Sequence, residues 1–338
     1  MGLSGRRGRP VRLGWVAAGL AGWLGLAGCG TSVIHASPTS GPSGSAPSGA
    51  AGRSGPSKVL LLVEENKTSD QVVGGPQARF LVSQMAQGAQ FTNMDAGYPT
   101  ECPSLAAYII LTSGGAQGIC DDRSPAAHPL AVDNVFQQVA VSGREWRVYA
   151  ESMSQNCHPW DAGAYAVRHT GATYYTSETQ RCRKWQVPMG DLTLGPLHDD
   201  ITSGTLPAYS LVVPDLCHDM HGDPSCPPPN DTAALVAAGD AWLGRWLPLI
   251  MAGEDYRTGR LVIILTWDEG SKESNHIPAM VFTAGNAGRT VDTRTTHCSM
   301  VRLTQEVLGV PLLGCAAGVP SVADAAGVVV GARPTLGP

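Results

Sequence analysis

The chain has no excess of basic residues: 23 Lys and Arg stand against 28 Asp and Glu, which gives a formal net charge of -5. Nucleic-acid binding needs a dense positive field, and this composition does not supply one. We therefore exclude nucleic acid as a partner and expect a small-molecule or lipid substrate.

A hydrophobic fraction of 43% over 338 residues is sufficient for one sizeable core.

Two sequence motifs are also missing. No Cys-x-x-Cys pair occurs, which argues against zinc held by thiolates, and the folded region has no Gly-x-Ser-x-Gly elbow of a serine esterase. An even number of cysteines in an exported chain favours disulfides, and we expect local pairs between sequence neighbours, with thiolate metal binding as the alternative. The disulfide candidates are Cys102, Cys120, Cys157, Cys182, Cys217, Cys226, Cys298 and Cys315.

The N-terminal segment has the pattern of an export signal. Several arginines precede an apolar run from Leu13 to Ala27, which is too short to span a membrane as a helix. The run ends in Leu26-Ala27-Gly28-Cys29, which resembles the lipobox of bacterial lipoproteins. We predict a lipoprotein signal peptide over residues 1–29 with Cys29 lipidated; the alternative is an ordinary secretory signal. The protein is then an exported lipoprotein, held at the cell membrane by its lipid anchor on the extracytoplasmic side.

Residues 30–57 are rich in Ser, Gly, Pro and Ala, which predicts a disordered tether. One folded domain is expected over residues 58–318, followed by a C-terminal tail over 319–338. The apolar run Val59 to Val63 is typical of a central parallel strand.

Strands and helices alternate along the folded region, which predicts an α/β fold with a doubly wound, mostly parallel central sheet flanked by helices. Further strands are expected at Trp146 to Ala150, Ala208 to Val213, Leu261 to Thr266 and Ala279 to Phe282. Helices are expected at Gln77 to Gln87, Ser104 to Leu111, Val132 to Val141, Thr232 to Met251 and Cys298 to Leu308.

Polar residues follow four of the predicted strands, where ligands bind in open α/β sheets. They are Glu64-Glu65-Asn66, Glu151, Asp215 through His221, and Trp267-Asp268-Glu269. Two adjacent acids at a strand end, such as Asp268 and Glu269, repel one another unless a cation lies between them, although a solvated turn is the alternative. Glu65 and Asn66 offer oxygen ligands of the same kind.

The loop from Pro214 to Gly222 has two acids and two histidines close together, namely Asp215, His218, Asp219 and His221. These groups are suited to a metal or a phosphate, and a disulfide-bridged surface loop is the alternative.

Ser104 is expected at a helix N-terminus, where free N–H groups and the helix dipole can hold a phosphate and a nearby metal can activate the hydroxyl. The alternative is a simple N-cap serine. His169 and His297 are candidate catalytic groups, or else surface and capping histidines.

Seven blocks of sequence together resemble the phosphoesterase family, which holds bacterial acid phosphatases and phospholipases C and belongs to the alkaline phosphatase superfamily. The resemblance extends from about Lys58 to about Leu313. The blocks are Val63 to Asp70, Pro103 to Leu105 with Leu111 to Gly114, Tyr149 to Met153, Pro214 to His221, Gly239 to Leu243, Thr266 to Gly270 and Thr296-His297.

The resemblance implies an alkaline-phosphatase-like fold and metal-dependent hydrolysis of phosphate esters, with Ser104 as nucleophile. It implies one divalent metal of unknown identity (zinc, calcium, magnesium or manganese), bound by Asp268 and Glu269 and by Glu65 and Asn66, the latter two being ligands or phosphate contacts. Superfamily members with two metals imply a second cluster at Asp215, Asp219 and His297, supported by His218 or His221. His169, His218, His221 and His297 are candidates for protonating the leaving alcohol or binding phosphate oxygens.

The chain departs from the family pattern at Cys102, Ala107 and Lys67, which stand where family members often have His, Asn, and His or Arg. A sulfatase is a near alternative, but its Cys-x-Pro-x-Arg motif is absent. The alternative from another class is an inactive cell-surface binding lipoprotein. The expected activity is that of an acid phosphatase or a phospholipase C-like enzyme, acting on a small phosphate ester or a phospholipid.

Overall fold

The computed structural model describes residues 55–226 and 231–331. The predicted signal peptide, the lipidation site Cys29 and nearly all of the predicted tether lie outside the described residues. The strands are β1 (Lys58–Glu64), β2 (Ala89–Phe91), β3 (Met94–Asp95), β4 (Trp146–Ala150), β5 (Gln186–Pro188), β6 (Tyr209–Val213), β7 (Leu261–Trp267), β8 (Ala279–Thr283), β9 (Arg289–Val291) and β10 (Thr295–Thr296). The helices are α1 (Ser69–Val72), α2 (Arg79–Gln84), α3 (Leu105–Ser113), α4 (Val135–Val141), α5 (Thr179–Trp185), α6 (Pro196–Thr202), α7 (Thr232–Ala252), α8 (Glu254–Arg257) and α9 (His297–Leu308).

The central sheet has the strand order β5-β4-β6-β1-β7-β8-β2-β9. Strands β5, β4, β6, β1 and β7 are parallel to one another, and β8 pairs antiparallel with both β7 and β2. The expectation of a mostly parallel sheet with flanking helices is therefore confirmed. Strand β1 lies between β6 and β7, so the carboxyl ends of these three strands meet at one edge of the sheet.

The position of β1 explains its composition. Each residue from Val59 to Val63 is at most 2% exposed, because both faces of this strand are covered. Helix α3 contacts α4 and α9 in one group, and helix α7 contacts α1, α2 and α8 in a second group. A run of apolar residues without alternation is what a strand between two layers requires.

Four disulfides confirm the local pairing expected from sequence. The pairs are Cys102–Cys120, Cys157–Cys182, Cys217–Cys226 and Cys298–Cys315.

Two regions differ in detail from the sequence prediction. The helix predicted over Gln77 to Gln87 is α2 followed by a 3-10 turn at Met85–Gln87. Part of the predicted tail packs on the domain, since Val322, Ala323, Ala326 and Val328 are buried in the same core. Between residues 55 and 331, leaving out the undescribed 227–230, no helix combines the length and apolar character needed to cross a bilayer.

Candidate active site

Glu65 lies at the centre of the candidate site, immediately after β1. Its side chain is fully buried, and its Oε2 atom accepts a hydrogen bond from the Ser104 hydroxyl at 3.0 Å. His169 Nε2 lies 3.3 Å from the same oxygen, and the Asn66 side-chain amide lies 2.9 Å from it. Tyr108 donates its hydroxyl proton to the other oxygen, Oε1, at 2.6 Å. One buried carboxylate therefore joins polar side chains from separate segments of the chain.

Ser104 occupies the expected position at the start of α3, a helix whose residues are all buried. Its side chain does not cap the helix. Asp122 Oδ1 instead accepts the hydrogen bond from the Leu105 backbone N–H at 3.0 Å. Because another residue satisfies this helix terminus, the Ser104 hydroxyl is available to Glu65.

Asp268 joins the ends of the neighbouring strands β1 and β7. Its Oδ1 atom accepts hydrogen bonds from the backbone N–H groups of Asn66 at 2.9 Å and Glu269 at 2.6 Å. The Asn66 side-chain amide also lies 3.3 Å from this oxygen. With its nitrogen turned inward, this amide donates to both Glu65 and Asp268; with its oxygen turned inward, it adds a third oxygen ligand for a cation.

Asp219 brings the loop after β6 into the same cluster. Its Oδ2 atom lies 3.4 Å from His169 Nδ1, and its backbone oxygen accepts a hydrogen bond from the Glu65 N–H at 2.6 Å. His169 belongs to a short 3-10 helix, Val167–His169, and is 1% exposed. The imidazole thus lies between the two carboxylates.

Burial dominates the electrostatics of this cluster. Burial raises the pKa of the carboxyls of Glu65, Asp219 and Asp268, and the charges of Asp268 and Asp219 raise the pKa of Glu65 further. Burial also lowers the pKa of His169, which favours the neutral imidazole. Carboxylates this close in a buried space require shared protons or a cation.

Glu269 and His297 flank Asp268. Burial, followed by the charge of Asp268, raises the pKa of Glu269 to about 8, and the Tyr98 hydroxyl donates to Glu269 Oε2 at 3.1 Å. His297 begins α9 and donates from Nε2 to the backbone oxygen of Asp268 at 2.6 Å. Its buried Nδ1 has no hydrogen-bond partner among the described residues, and burial lowers the pKa of this imidazole to about 4.

The residues expected to form a second metal cluster contact different neighbours. Asp219 lies beside Glu65, and His297 lies behind Asp268. Asp215 contacts another group of side chains. The structure therefore brings Asp219 into the Glu65 cluster and places Asp215 in a separate one.

That separate group consists of Glu151, Asp215 and His218. His218 Nδ1 lies 3.0 Å from Glu151 Oε2 and 3.1 Å from Asp215 Oδ1. Hydrogen bonds to Asp215 and then Glu151 raise the pKa of His218 to about 10. The last predicted histidine, His221, lies nearer the Glu65 cluster, with its ring centroid 6.3 Å from that of His169.

Several side chains of the site were not predicted from the sequence. Tyr108 lies one helical turn after Ser104. Residues with this spacing share a helix face, so the sequence could have predicted that Tyr108 lies beside Ser104. Asp122 follows Cys120, which the disulfide to Cys102 brings near Ser104.

Two cations also lie close to the cluster. Arg168 precedes His169 and pairs with Asp122 at 3.5 Å and with Asp161 at 3.3 Å. Lys67, noted only as a departure from the family pattern, is buried and donates to the Met220 backbone oxygen at 2.6 Å. The contacts of Arg168 could not be predicted, because they connect residues that are far apart in sequence and that form no local sequence pattern.

The Glu65 cluster has the donor set of a cation site. Glu65, His169 and Asp219 offer ligand atoms that all lie within 4.8 Å of one another. His169 Nε2 and Asp219 Oδ2 are buried and make no hydrogen bond within the described residues. Carboxylate oxygens and an imidazole nitrogen fit a divalent metal.

An open cleft of about 660 Å³ adjoins the cluster. It is lined by Asn66, Thr100, Glu101, Pro103, Glu269, Gly270, Ser271 and Lys272. Pro103 precedes Ser104, so a substrate in this cleft lies next to the serine and the cluster of acids.

The phosphoesterase family model matches residues 62–311, which is most of the chain. The chain belongs to the phosphoesterase family. This result confirms the resemblance seen in the sequence, and it covers the segments that supply Glu65, Ser104, His169, Asp219 and Asp268.

Two similar proteins place this phosphoesterase among known enzymes and folds. A phosphatidylinositol-3-phosphatase of Mycobacterium tuberculosis is 26% identical over 271 residues, which cover 79% of this chain and 81% of the relative. A solved structure of a protein in the alkaline phosphatase superfamily from Vibrio parahaemolyticus has a TM-score of 0.56 at 14% identity, over 79% of this chain and 71% of that one. The family and the phosphatase relative support phosphate ester hydrolysis as the reaction class, and the solved structure shows the alkaline-phosphatase-like fold.

Proposed function

We propose that this phosphoesterase is a metal-dependent phosphomonoesterase that uses Ser104 as its nucleophile. The observation that carries the proposal is the contact of 3.0 Å between the Ser104 hydroxyl and Glu65 Oε2, within a buried group of carboxylates. A serine that caps its own helix would be occupied by backbone N–H groups. Here Asp122 takes that role, and the hydroxyl faces the acids.

The reaction is a two-step displacement. The Ser104 oxygen attacks phosphorus and loses its proton, the alcohol leaves, and a phosphoserine forms; water then hydrolyses this ester and releases phosphate. Glu65, Asn66, Asp268 and Glu269 are the proposed ligands of the divalent cation. Asp219 is a further oxygen ligand close to Glu65, and His169, whose ring also lies within ligand distance of Glu65, is assigned here to the phosphate instead. When bound, the cation stabilises negative charge on oxygen and lowers the pKa of a bound hydroxyl.

Arg168 and His169 are the proposed contacts for phosphate. The Arg168 side chain is 13% exposed, and its Nε lies 3.5 Å from Asp122 Oδ2 without making a hydrogen bond within the described residues. A guanidinium offers planar paired donors that match phosphate oxygens. His169, kept neutral by burial, can donate to a phosphate oxygen without adding charge. His221 and His297 are further candidates for protonating the leaving alcohol.

The phosphomonoester preference rests on the relative from Mycobacterium tuberculosis, which is named a phosphatidylinositol-3-phosphatase. Phospholipase C-like cleavage of a diester is the second candidate, and an inactive binding protein is the third.

The test uses the full chain with four substrates: p-nitrophenyl phosphate, its bis-ester, phosphatidylinositol 3-phosphate and phosphatidylcholine. We expect turnover of the two monoesters, loss of turnover on chelation, and recovery when a divalent metal is added back. Turnover of diesters alone would support the phospholipase C-like enzyme. No turnover of any ester under metal-loaded conditions would support the binding protein.

The nucleophile is tested with Ser104→Ala, which we expect to lower kcat by about 10³-fold or more. The matched control is Ser113→Ala, because Ser113 is buried at the other end of α3 and bonds the Ile109 backbone oxygen. Acid quenching during turnover should trap phosphate on the peptide that contains Ser104. Full activity of Ser104→Ala contradicts the assignment.

We also propose that the protein is an exported lipoprotein. The four disulfides support an oxidising compartment. The mass of the mature N-terminus should show a lipid on Cys29, and an unmodified terminus would contradict the anchor.

A further inference from the structure

A second group of potential ligands lies apart from the Glu65 cluster. Glu151 follows β4, while Asp215 and His218 follow β6. Their ligand atoms lie within 4.8 Å of one another, and His218 Nδ1 approaches both carboxylates at 3.0 and 3.1 Å. Ser152 donates to the remaining Asp215 oxygen at 2.6 Å, which fixes the orientation of this carboxylate.

Glu64 is an independent sign that this region needs positive charge. Its side chain is 0% exposed, and neither carboxylate oxygen has a hydrogen-bond partner in the described part of the chain. A carboxylate buried in this way without a partner is costly.

Strand register places Glu64 toward the second group. In the sheet, Leu62 is the register partner of Val212 and Ala150 is the register partner of Val213. If both pairings are extended toward the strand ends, Glu64 and Glu151 become the neighbours of Pro214 on its two sides. Register partners in a parallel sheet direct their side chains to the same face, and Glu65 then faces the other way.

An open cavity of about 460 Å³ adjoins this group. Glu151 and His218 form one wall, residues 190–193 form another, and Trp242, Arg245 and Trp246 of α7 complete it. Around this site, four acidic groups outnumber two basic ones, which favours a cation over an anion: Glu64, Glu151, Asp191 and Asp215 against His218 and Arg245.

We propose that Glu151, Asp215 and His218 form a second cation site, suited to a transition metal such as Zn²⁺, with Glu64 as the buried counter-charge beside it. Carboxylate oxygens and an imidazole nitrogen are ligand types that Zn²⁺ accepts, and the adjoining cavity gives an ion access to Glu151 and His218. The site is separate from the Glu65 cluster, and its ligands differ from the set of Asp215, Asp219 and His297 implied by the family resemblance.

The site has a structural consequence for the catalytic cluster. Asp215 and His218 begin the loop that continues to Asp219, whose backbone oxygen and carboxylate contact Glu65 and His169. A cation at the second site therefore fixes the start of the loop that carries Asp219. The proposal does not depend on Ser104 acting as the nucleophile.

The test is metal content and affinity rather than activity. The full chain is stripped with a chelator, dialysed against Zn²⁺ and analysed by mass spectrometry for metal per chain, and Zn²⁺ affinity is measured by calorimetry. We expect Glu151→Gln and His218→Gln each to bind one ion fewer than the wild type, or to bind it at least tenfold more weakly. The control is His198→Gln, since His198 is a surface residue beside Asp199 and lies outside both groups.

A Glu65→Gln chain separates the two sites. It weakens the catalytic cluster, and Zn²⁺ should still shift the imidazole NMR signals of His218 in this background. This measurement also decides the matter if Glu151→Gln or His218→Gln fails to fold. Unchanged His218 signals in Glu65→Gln, or wild-type zinc content and affinity in the folded Glu151→Gln and His218→Gln proteins, would overturn the proposal.

Discussion

Tyr108 and His169 stack with their ring centroids 5.0 Å apart and their planes 10° from parallel. Both side chains also contact Glu65, through Oε1 and Oε2 respectively. The tyrosine therefore fixes the carboxylate with its hydroxyl and the imidazole with its ring. We infer that Tyr108 is a positioning residue for the Glu65 cluster.

Tyr108→Phe removes the hydroxyl but keeps the stacked ring. A hydrogen bond to a charged group contributes about 1.5–3 kcal/mol, so we expect kcat/KM to fall about tenfold or more. The control is Tyr175→Phe, which removes another buried hydroxyl, bonded to Thr112 at 2.6 Å. Equal kcat/KM losses in both variants would show that Tyr108 has no special effect on the site. The measurement is steady-state kinetics with thermal unfolding.

Asp122→Ala removes the side chain that caps α3. Loss of a helix cap costs about 1 kcal/mol, and the Ser104 hydroxyl becomes the nearest substitute acceptor for the free N–H groups. We expect kcat to fall about tenfold, because the hydroxyl turns from Glu65 toward its own helix and because Arg168 loses the Asp122 carboxylate 3.5 Å from its Nε.

Asp231→Ala is the matched control for this cap. Asp231 accepts hydrogen bonds from the N–H groups of Ala233 and Ala234 at the start of α7. We expect a similar loss of stability with unchanged kcat. If the two variants lose kcat equally, the cap at Asp122 does not act through Ser104.

His297→Gln should alter the pH dependence of stability in chelator-treated protein. Burial lowers the pKa of His297 from 6.5 to about 4, and a proton on Nδ1 would have no partner among the described residues. As the pH falls from 6.5 to about 4, the unfolded chain binds this proton first, so the wild type loses stability relative to the variant. The difference should reach roughly 3 kcal/mol and stay constant below about pH 4.

The measurement is the free energy of unfolding in urea at several pH values, with His198→Gln as the control. A difference between wild type and His297→Gln that is independent of pH would contradict the lowered pKa.

The strands that position the site could be predicted because burial left a clear pattern. The run from Val59 to Val63 is apolar throughout, and the strand from Leu261 to Trp267 is apolar except for Thr266; each is followed at once by acids. Polar residues at the carboxyl ends of neighbouring parallel strands lie close together, so Glu65 after β1 is expected near Asp268 after β7. The short strands β2, β9 and β10 have only two or three residues and no such pattern.

The contacts between loops could not be predicted in this way. His169 lies in a 3-10 turn far from any long strand, and only the folded chain brings its Nδ1 atom to 3.4 Å from Asp219. Nor could it be predicted that the loop after β6 contributes side chains to two separate clusters. Asp215 and Asp219 are separated by one turn of chain, and their side chains face different clusters.

The disulfide between Cys102 and Cys120 closes a loop that contains Ser104. It thereby holds Asp122, which directly follows this loop in the chain, near the start of α3, where its carboxylate accepts the Leu105 N–H. Such bonds form outside the reducing cytoplasm. Under the export proposed above, a newly made chain would complete the arrangement around its serine only outside the cytoplasm. Because the disulfide would form only after the chain has left the cytoplasm, the phosphate esters inside the cell would not meet a fully assembled hydrolase.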